Sequence, residues 1–574
     1  MNNNVEITLN GNKISVPAYI SIMEAAKRNG INLPSLCHHP DQRVKAHCRV
    51  CVVEVEGRKN LVPSCSTQVA DGMVIKTNTA RVRETVKTIV ELILADHPQE
   101  CLTCIRNGNC ELRQLSDKLG LTNIQAEPSV KRYPIDLSSS TLVRDNNKCI
   151  KCGRCAEVCH HVQEVGILYS HNRSTEICIS PEYGKKLSEV SCVHCGQCVL
   201  ACPVGAIYEK DETSKVWDAI QDPEKHVIVQ TAPSIRVSIA EEFGLPAGNV
   251  STGKLVSALR NLGFDKIFDT DFAADVTIME EGNELLQRLK TGGTLPMLTS
   301  CSPGWINYIE QYYPELLAHV SSCKSPQQMF GALAKTYYSK VSGIPAEKIF
   351  VVSIMPCTAK KYEAQREEMR DSGFQDVDVA LTTRELGRML RSTGTDFSTL
   401  PEGQYDEPMG DSTGAAAIFG ATGGVMEAAL RTVYEVLTGE ELKKLEFEEV
   451  RGMEGVKSST VDIAGSPVKV AVAHGLSNAK KILESIKSGK ADYTFIEVMC
   501  CPGGCIGGGG QPYGSTNARR QERIEALYRL DKDMELRKSH ENPAVKKLYD
   551  DFLGCPLGET SHKLLHTHYS DRSA

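Results

Sequence analysis

The hydrophobic pattern changes near residue 225. Beyond it, apolar β-rich runs at 227–229 and 349–354 alternate with helix-like stretches such as 255–262, a rhythm that predicts an α/β region with a partly parallel sheet. At the other end, residues 5–16 alternate apolar and polar positions around the pair Asn10 and Gly11, which predicts a β-hairpin. A helix should follow: Ser21 can cap its start with Glu24 three residues on, and Gly30 can close its end in the left-handed conformation. Polar stretches at 138–141 and 211–214 read as linkers. At 574 residues the chain exceeds one hydrophobic core. The expected fold class is multidomain α+β and α/β, divided at 1–79, 80–138, 139–212 and 213–574.

Composition narrows the class. A hydrophobic content of 41% suits sizeable cores, and the formal net charge of -7 argues against nucleic acid or an anionic membrane as main partner. No apolar run approaches the ~20 residues of a membrane span. The N-terminus lacks the organisation of a signal peptide, so the cytoplasm is the simplest address.

Cysteine sharpens the picture. Fifteen of the 23 cysteines fall between Cys37 and Cys202 at spacings that iron-sulfur clusters require, in successive blocks. Cys37, Cys48, Cys51 and Cys65 form C-x10-C-x2-C-x13-C, four thiolates suited to a 2Fe-2S cluster on a small ferredoxin scaffold of β-grasp type. Zinc is disfavoured there because its sites usually use two short pairs. His97, Cys101, Cys104 and Cys110 are ambiguous: Cys3His is a common zinc set, yet beside other clusters a 4Fe-4S cluster is the better reading. Cys149, Cys152, Cys155, Cys159 and then Cys192, Cys195, Cys198, Cys202 repeat C-x2-C-x2-C-x3-C. In such pairs the fourth thiol of each run serves the other cluster, so Cys149, Cys152, Cys155 and Cys202 should hold one 4Fe-4S cluster and Cys192, Cys195, Cys198 and Cys159 the other. A disulfide framework belongs to small secreted domains and is disfavoured.

After residue 225 cysteines become sparse. They sit in Thr299-Ser300-Cys301-Ser302-Pro303-Gly304-Trp305, in Met355-Pro356-Cys357, and in Cys500-Cys501-Pro502-Gly503-Gly504-Cys505 leading into Gly507, Gly508, Gly509 and Gly510. At these residues the chain resembles the catalytic subunit of the iron-only, or FeFe, hydrogenases over essentially its whole length, and most closely the multi-subunit branch that exchanges electrons with NAD(P) and ferredoxin, sometimes by electron bifurcation. The resemblance implies an H-cluster, a 4Fe-4S cubane joined through one cysteine sulfur to a two-iron unit with carbon monoxide, cyanide and azadithiolate, where protons and electrons combine reversibly to hydrogen. It also implies maturation proteins and flavin- or NAD(P)-binding partner subunits, since no nicotinamide or flavin site is evident in this chain. Cys357, Cys501 and Cys505 match cubane ligands, with Cys505 bridging to the two-iron unit. Lys360 resembles the donor to one cyanide, Pro233 and Ser234 the contact to the other, and Met355 and Met499 the apolar wall. The glycines after Cys501 would let backbone approach the cluster.

One position departs from the family. Where two adjacent cysteines usually stand, a proton relay followed by a cubane ligand, this chain has Cys301 and Ser302. Cys301 is then the relay, or a backbone shift lets it ligate; iron prefers thiolate to a serine oxygen. Cys500 is an extra thiol able to compensate for either role. Glu281, Glu284 and Arg288 stand at helical spacings, which alone read as a solvated stripe; with Ser321 they match the family's proton path. Gly420, Gly423 and Gly424 lack a phosphate-loop lysine and are expected to pack near the metal site. Cys178, Cys323 and Cys555 are read as packing residues. The alternative is a non-catalytic electron-transfer or hydrogen-sensing iron-sulfur protein.

Overall fold

A computed structural model describes residues 4–573 apart from 128–131, 443 and 464–465. Strands β1 (Asn4–Leu9) and β2 (Asn12–Pro17) form the expected antiparallel hairpin. Asn10 and Gly11 take φ of 50° and 90°, the positive values a tight hairpin turn needs. With β3 (Val52–Val55), β4 (Val62–Pro63) and β5 (Val74–Lys76) they make a five-stranded sheet in the order β2-β1-β5-β3-β4. Helix Ile22–Arg28 lays Ile22, Ala25 and Ala26 on Ile7, Val53 and Ile75, giving a β-grasp. Ser21 Oγ accepts from Glu24 N at 3.2 Å, and Gly30 follows the helix at φ 77°, both as expected.

Helix Ala80–Ala95 repeats Val82, Val86, Val90 and Leu94 along one face, which joins the core of the cysteine-rich modules. There β6 (Leu142–Arg144) pairs antiparallel with β9 (Ile207–Glu209), enclosing the hairpin β7 (Tyr169–His171) and β8 (Cys178–Ser180). The linker reading is corrected here. Ser139 and Thr141 are buried, Thr141 Oγ1 sits 2.9 Å from His194 Nδ1, and Thr213 opens a helix at Thr213–Gln221. Polarity misled because a polar side chain beside β6 can be buried with a partner, as Thr141 is with His194, and because a polar run can open a helix, as Thr213 does.

Beyond residue 225, β10 (His226–Thr231), β11 (Lys266–Asp269), β13 (Ile349–Met355) and β14 (Val379–Thr382) form a parallel sheet in the order β11-β10-β13-β14. A second sheet runs β12 (Met297–Leu298), β17 (Phe495–Met499), β16 (Ser466–His474) and β15 (Val456–Ile463), antiparallel only between β15 and β16. Helix Thr270–Thr291 is apolar on more than one side. Phe272, Ala273 and Val276 pack with Ile228 and Val351 of the first sheet, whereas Ala274, Ile278 and Leu285 pack with Met297, Val470 and Phe495 of the second. It therefore ties the sheets together. No helix among the described residues is long and apolar enough to cross a membrane.

Candidate functional site

Four strands deliver the candidate residues at their carboxyl ends, where open α/β sheets place their ligands. Strand β10 runs into Pro233 and Ser234, β12 into Thr299, Ser300 and Cys301, β13 into Pro356 and Cys357, and β17 into Cys500 and Cys501. Met355 and Met499 are the last residues of β13 and β17, and both are buried. The Cys501 thiol is in hydrogen-bonding contact with the thiols of Cys357 and Cys500. Burial pushes the Cys505 thiol up to about 12, with the Lys360 ammonium opposing the shift. Burial also raises the Cys301 thiol, and the nearest charges acting on it belong to Glu281, Cys505, Lys360 and Glu497.

Lys360 follows Cys357 on the short helix Ala359–Glu363. Its Nζ is held by Glu363 Oε2 at 2.9 Å and by the Cys301 carbonyl at 3.3 Å. Glu363 accepts Ser325 and Gln327 as well, so this buried ammonium keeps a fixed position. The segment 420–424 packs on the loop between Cys501 and Cys505: Thr422 N donates to Gly503 O at 2.9 Å, and Gly423 N to Glu497 Oε1 at 2.7 Å. The glycines after Cys505 bring loops together. A Cβ on Gly508 or Gly509 would lie 2.2 Å from Pro356 O or 2.3 Å from Cys195 O, so these residues let neighbouring loops touch one another.

The charged stripe on helix Thr270–Thr291 is buried. Glu281 is 1% exposed and Glu284 7%. Burial, then the Glu284 charge, raises the Glu281 carboxyl from its ordinary 4.5 to about 8. Neither of its oxygens makes a well-formed hydrogen bond, although Ser321 Oγ and the Ser300 backbone lie near enough to temper the shift. Ser321 Oγ donates to Glu284 Oε2 at 2.8 Å, and Glu284 Oε1 takes Arg288 Nη2 at 2.6 Å. Arg288, half-buried, also donates to the carbonyls of Thr294, Ala318 and Val320. Cys301, Glu281, Ser321, Glu284 and Arg288 thus run in order from the thiols outward. Sequence reasoning missed a branch off this line: Ser322 Oγ meets both Glu284 and His566 Nδ1, and His566 Nε2 lies 3.1 Å from Glu280. Only the tertiary fold brings residue 566 to residue 284. Cys323 borders the same carboxylate, with Sγ 3.8 Å from Glu284 Oε2. Cys178 accepts from Asn146 Nδ2 at 3.1 Å. Cys555 is corrected: it is exposed and packs into no core.

The N-terminal thiols also gather. Cys37 contacts Cys48 and Cys51 contacts Cys65, with charge coupling between the pairs. His97, Cys101, Cys104 and Cys110 line one cavity. Buried His97 Nδ1 has no partner there and burial lowers the imidazole to about 4, so a neutral nitrogen is available to a metal. Cys149, Cys152, Cys155 and Cys202 line a second cavity, the crossed set of the repeat. Cys192, Cys195 and Cys159 act on Cys198 as a third group. That group abuts the catalytic loops: Gln197 Nε2 donates to Gly507 O at 2.8 Å and Thr358 Oγ1 to His194 O at 2.6 Å.

Converging thiols at strand ends, with further thiol clusters leading up to them, define an iron-sulfur redox protein. Comparison with known families resolves the class. The iron only hydrogenase large subunit, C-terminal domain, matches residues 225–509, and the iron hydrogenase small subunit 517–572. A 2Fe-2S iron-sulfur cluster binding domain matches 2–80, the NADH-ubiquinone oxidoreductase-G iron-sulfur binding region 87–125, and a 4Fe-4S dicluster domain 148–206. The chain is 49% identical to the NADP-reducing hydrogenase subunit HndD of Solidesulfovibrio fructosivorans, over 99% of each. It is 42% identical to iron hydrogenase 1 of Clostridium pasteurianum, over 98% of this chain and 99% of the relative. A solved structure of apo [FeFe]-hydrogenase HydA1 from Chlamydomonas reinhardtii, a variant, is 44% identical with a TM-score of 0.58, covering 64% of this chain and all of that one. The chain belongs to the iron-only, or FeFe, hydrogenases. It is a hydrogenase whose N-terminal iron-sulfur domains relay electrons.

Proposed function

We propose that this chain interconverts hydrogen with protons and electrons at an H-cluster held by Cys357, Cys501 and Cys505, with Cys505 shared between the cubane and a two-iron unit bearing carbon monoxide, cyanide and azadithiolate. The carrying observation is the convergence of these thiols, from two strands of different sheets, beside buried Lys360 and the Glu281 line. When bound, that group supplies the centre at which hydrogen is split or made. Around it, Lys360 presents a fixed cation and Ser234, buried with an unpartnered Oγ beside Pro233, presents a donor, both suited to small anionic ligands. Cys301 and Glu281 carry the proton, and Ser321, Glu284 and Arg288 pass it outward.

The accessory set comprises one 2Fe-2S cluster on Cys37, Cys48, Cys51 and Cys65, and three 4Fe-4S clusters on the His97 set and the two crossed sets, in units limited at 1–79, 80–138, 139–212 and 213–574. The relative named as a subunit of an NADP-reducing hydrogenase supports partner subunits that handle NADP; a cytoplasmic complex with NAD(P)- and flavin-binding subunits, or docking ferredoxin, completes the reading. After maturation the full chain should show infrared bands of carbon monoxide and cyanide and reduce methyl viologen, but not NADP, with hydrogen. Correctly matured protein without those bands would end this reading.

A further inference from the structure

We infer that Cys500 is the fourth thiolate of the catalytic-domain cubane, standing in for the ligand lost at Ser302, so that Cys301 remains free to carry protons; this rests on the H-cluster site proposed above. Ser302 precedes helix Pro303–Tyr312, yet its side chain makes no hydrogen bond to that helix. Instead Ser302 Oγ accepts from Cys500 N at 3.2 Å. The end of β17 is therefore stapled to the residue whose ligand role is vacant, and the residue that makes the staple carries a thiol of its own.

The surroundings of Cys500 place its sulfur against a helix start and beside the thiols of Cys195 and Cys501. A Cβ on Gly304 would lie 2.7 Å from Cys500 Sγ, so the sulfur rests on the first turn of helix Pro303–Tyr312, and glycine at this position makes room for it. A helix N-terminus favours a negative sulfur. Gln163 Nε2 stands 3.7 Å away as a donor, and Cys500 is 2% exposed. Its thiol touches that of Cys501, which touches that of Cys357. Cys301 keeps different company: Lys360 holds its carbonyl, and the nearby charges are Glu281 and Cys505. Cys301 thus stands between Cys505, the thiol shared with the two-iron unit, and Glu281 of the proton path, whereas Cys500 stands beside Cys501.

Cys500 also contacts Cys195 of the neighbouring crossed set. That set already has four thiols in Cys192, Cys195, Cys198 and Cys159, so the open valence belongs to the cubane. A serine oxygen is the poorer iron ligand, which removes Ser302 as the alternative.

The full chain, made anaerobically without maturation proteins so that only inorganic clusters load, tests this by iron content and Mössbauer spectroscopy. Cys500→Ala should lose one cubane's complement of iron and its spectral component, and Cys301→Ala should keep both. Adding Ser302→Cys to Cys500→Ala should restore them, which separates a lost ligand from a damaged fold. Retention of the cubane in Cys500→Ala, its loss in Cys301→Ala, or a loss that Ser302→Cys does not repair would overturn the assignment. Wild-type protein without any cubane beyond the accessory clusters would instead remove the H-cluster reading beneath it.

Discussion

Two flanks of the catalytic domain meet at the same thiols and are built on opposite principles. On the proton flank, helix Thr270–Thr291 buries Glu281 and Glu284 in an apolar setting, one with unpaired oxygens and the other held by Ser321, Ser322 and Arg288. On the electron flank, the loop around Cys195 presses backbone against backbone, and Gln197 and Thr358 pin it to the catalytic loops. A proton moves in short hops from one positioned donor or acceptor to the next, so loss of a single member should interrupt the line. An electron needs short distance and rigidity, which many packed atoms supply together. Substitutions on the first flank should stop turnover and spare iron; those on the second should be buffered.

The sharpest trial is Glu281→Gln, which keeps volume and removes the titrating group. Proton transfer by a positioned side chain contributes about 10²–10⁴-fold, so methyl viologen reduction by hydrogen should fall by that factor while iron content and infrared bands stay at wild-type levels. A fall of less than about fivefold would take Glu281 off the path. Ser321→Ala comes next. It removes a 2.8 Å bond to the Glu284 carboxylate; hydrogen bonds to charged groups are worth about 1.5–3 kcal/mol, so turnover should drop roughly 10- to 100-fold if that loss appears in the barrier. Near-wild-type rates in Ser321→Ala would show that protons leave Glu281 by another way.

The two flanks differ in how much of them the sequence discloses. Cluster-binding runs such as Cys192 to Cys202 are legible because their ligands are local: short spacings dictate the loop, and the crossed cavity of Cys149, Cys152, Cys155 and Cys202 follows the repeat. The strands at 227–229 and 349–354 are legible because sheets covered on both faces need continuous apolar runs. The junctions are not. Ser302 and Cys500 are neighbours only because β12 and β17 are adjacent strands, and 198 residues separate them. His566 joins the proton flank across a comparable span, and its motif-free surroundings give no signal at all. Gly508 and Gly509 signal a close backbone approach in the sequence, but only the fold shows that the loops of Pro356 and Cys195 are among the groups approached.

Burial of Glu281 also has a thermodynamic consequence confined to its flank. Its carboxyl holds a proton in the folded chain up to about 8, against an ordinary 4.5. Between those values the folded state binds the proton more tightly than the unfolded state, so this residue's contribution to stability declines as pH rises through the window. Glutamine does not titrate. Thermal unfolding of Glu281→Gln relative to wild type should therefore show an advantage that grows by a few degrees from pH 5 to pH 8 and then levels off, read by calorimetry on the same cluster-loaded preparations. An unchanging difference across that range would mean the carboxyl is ionised throughout and its burial is relieved by groups other than those named.

The smallest effect expected tests the other side of the contrast. Thr358 is fully buried, and its hydroxyl donates to His194 O at 2.6 Å, joining the crossed thiol set to the loop that carries Cys357. Thr358→Val keeps the shape and leaves that carbonyl unpaired, at a cost of about 1–3 kcal/mol. Because Gln197 still bonds Gly507 and the backbones remain in contact, the distance between Cys195 and Cys501 should hardly change. Viologen turnover should accordingly fall by less than in Ser321→Ala, while local unfolding, measured by amide exchange around residues 194–197, becomes easier. If Thr358→Val instead slows turnover more than Ser321→Ala with iron intact, electron delivery is as dependent on single bonds as proton delivery, and the distinction between the flanks fails.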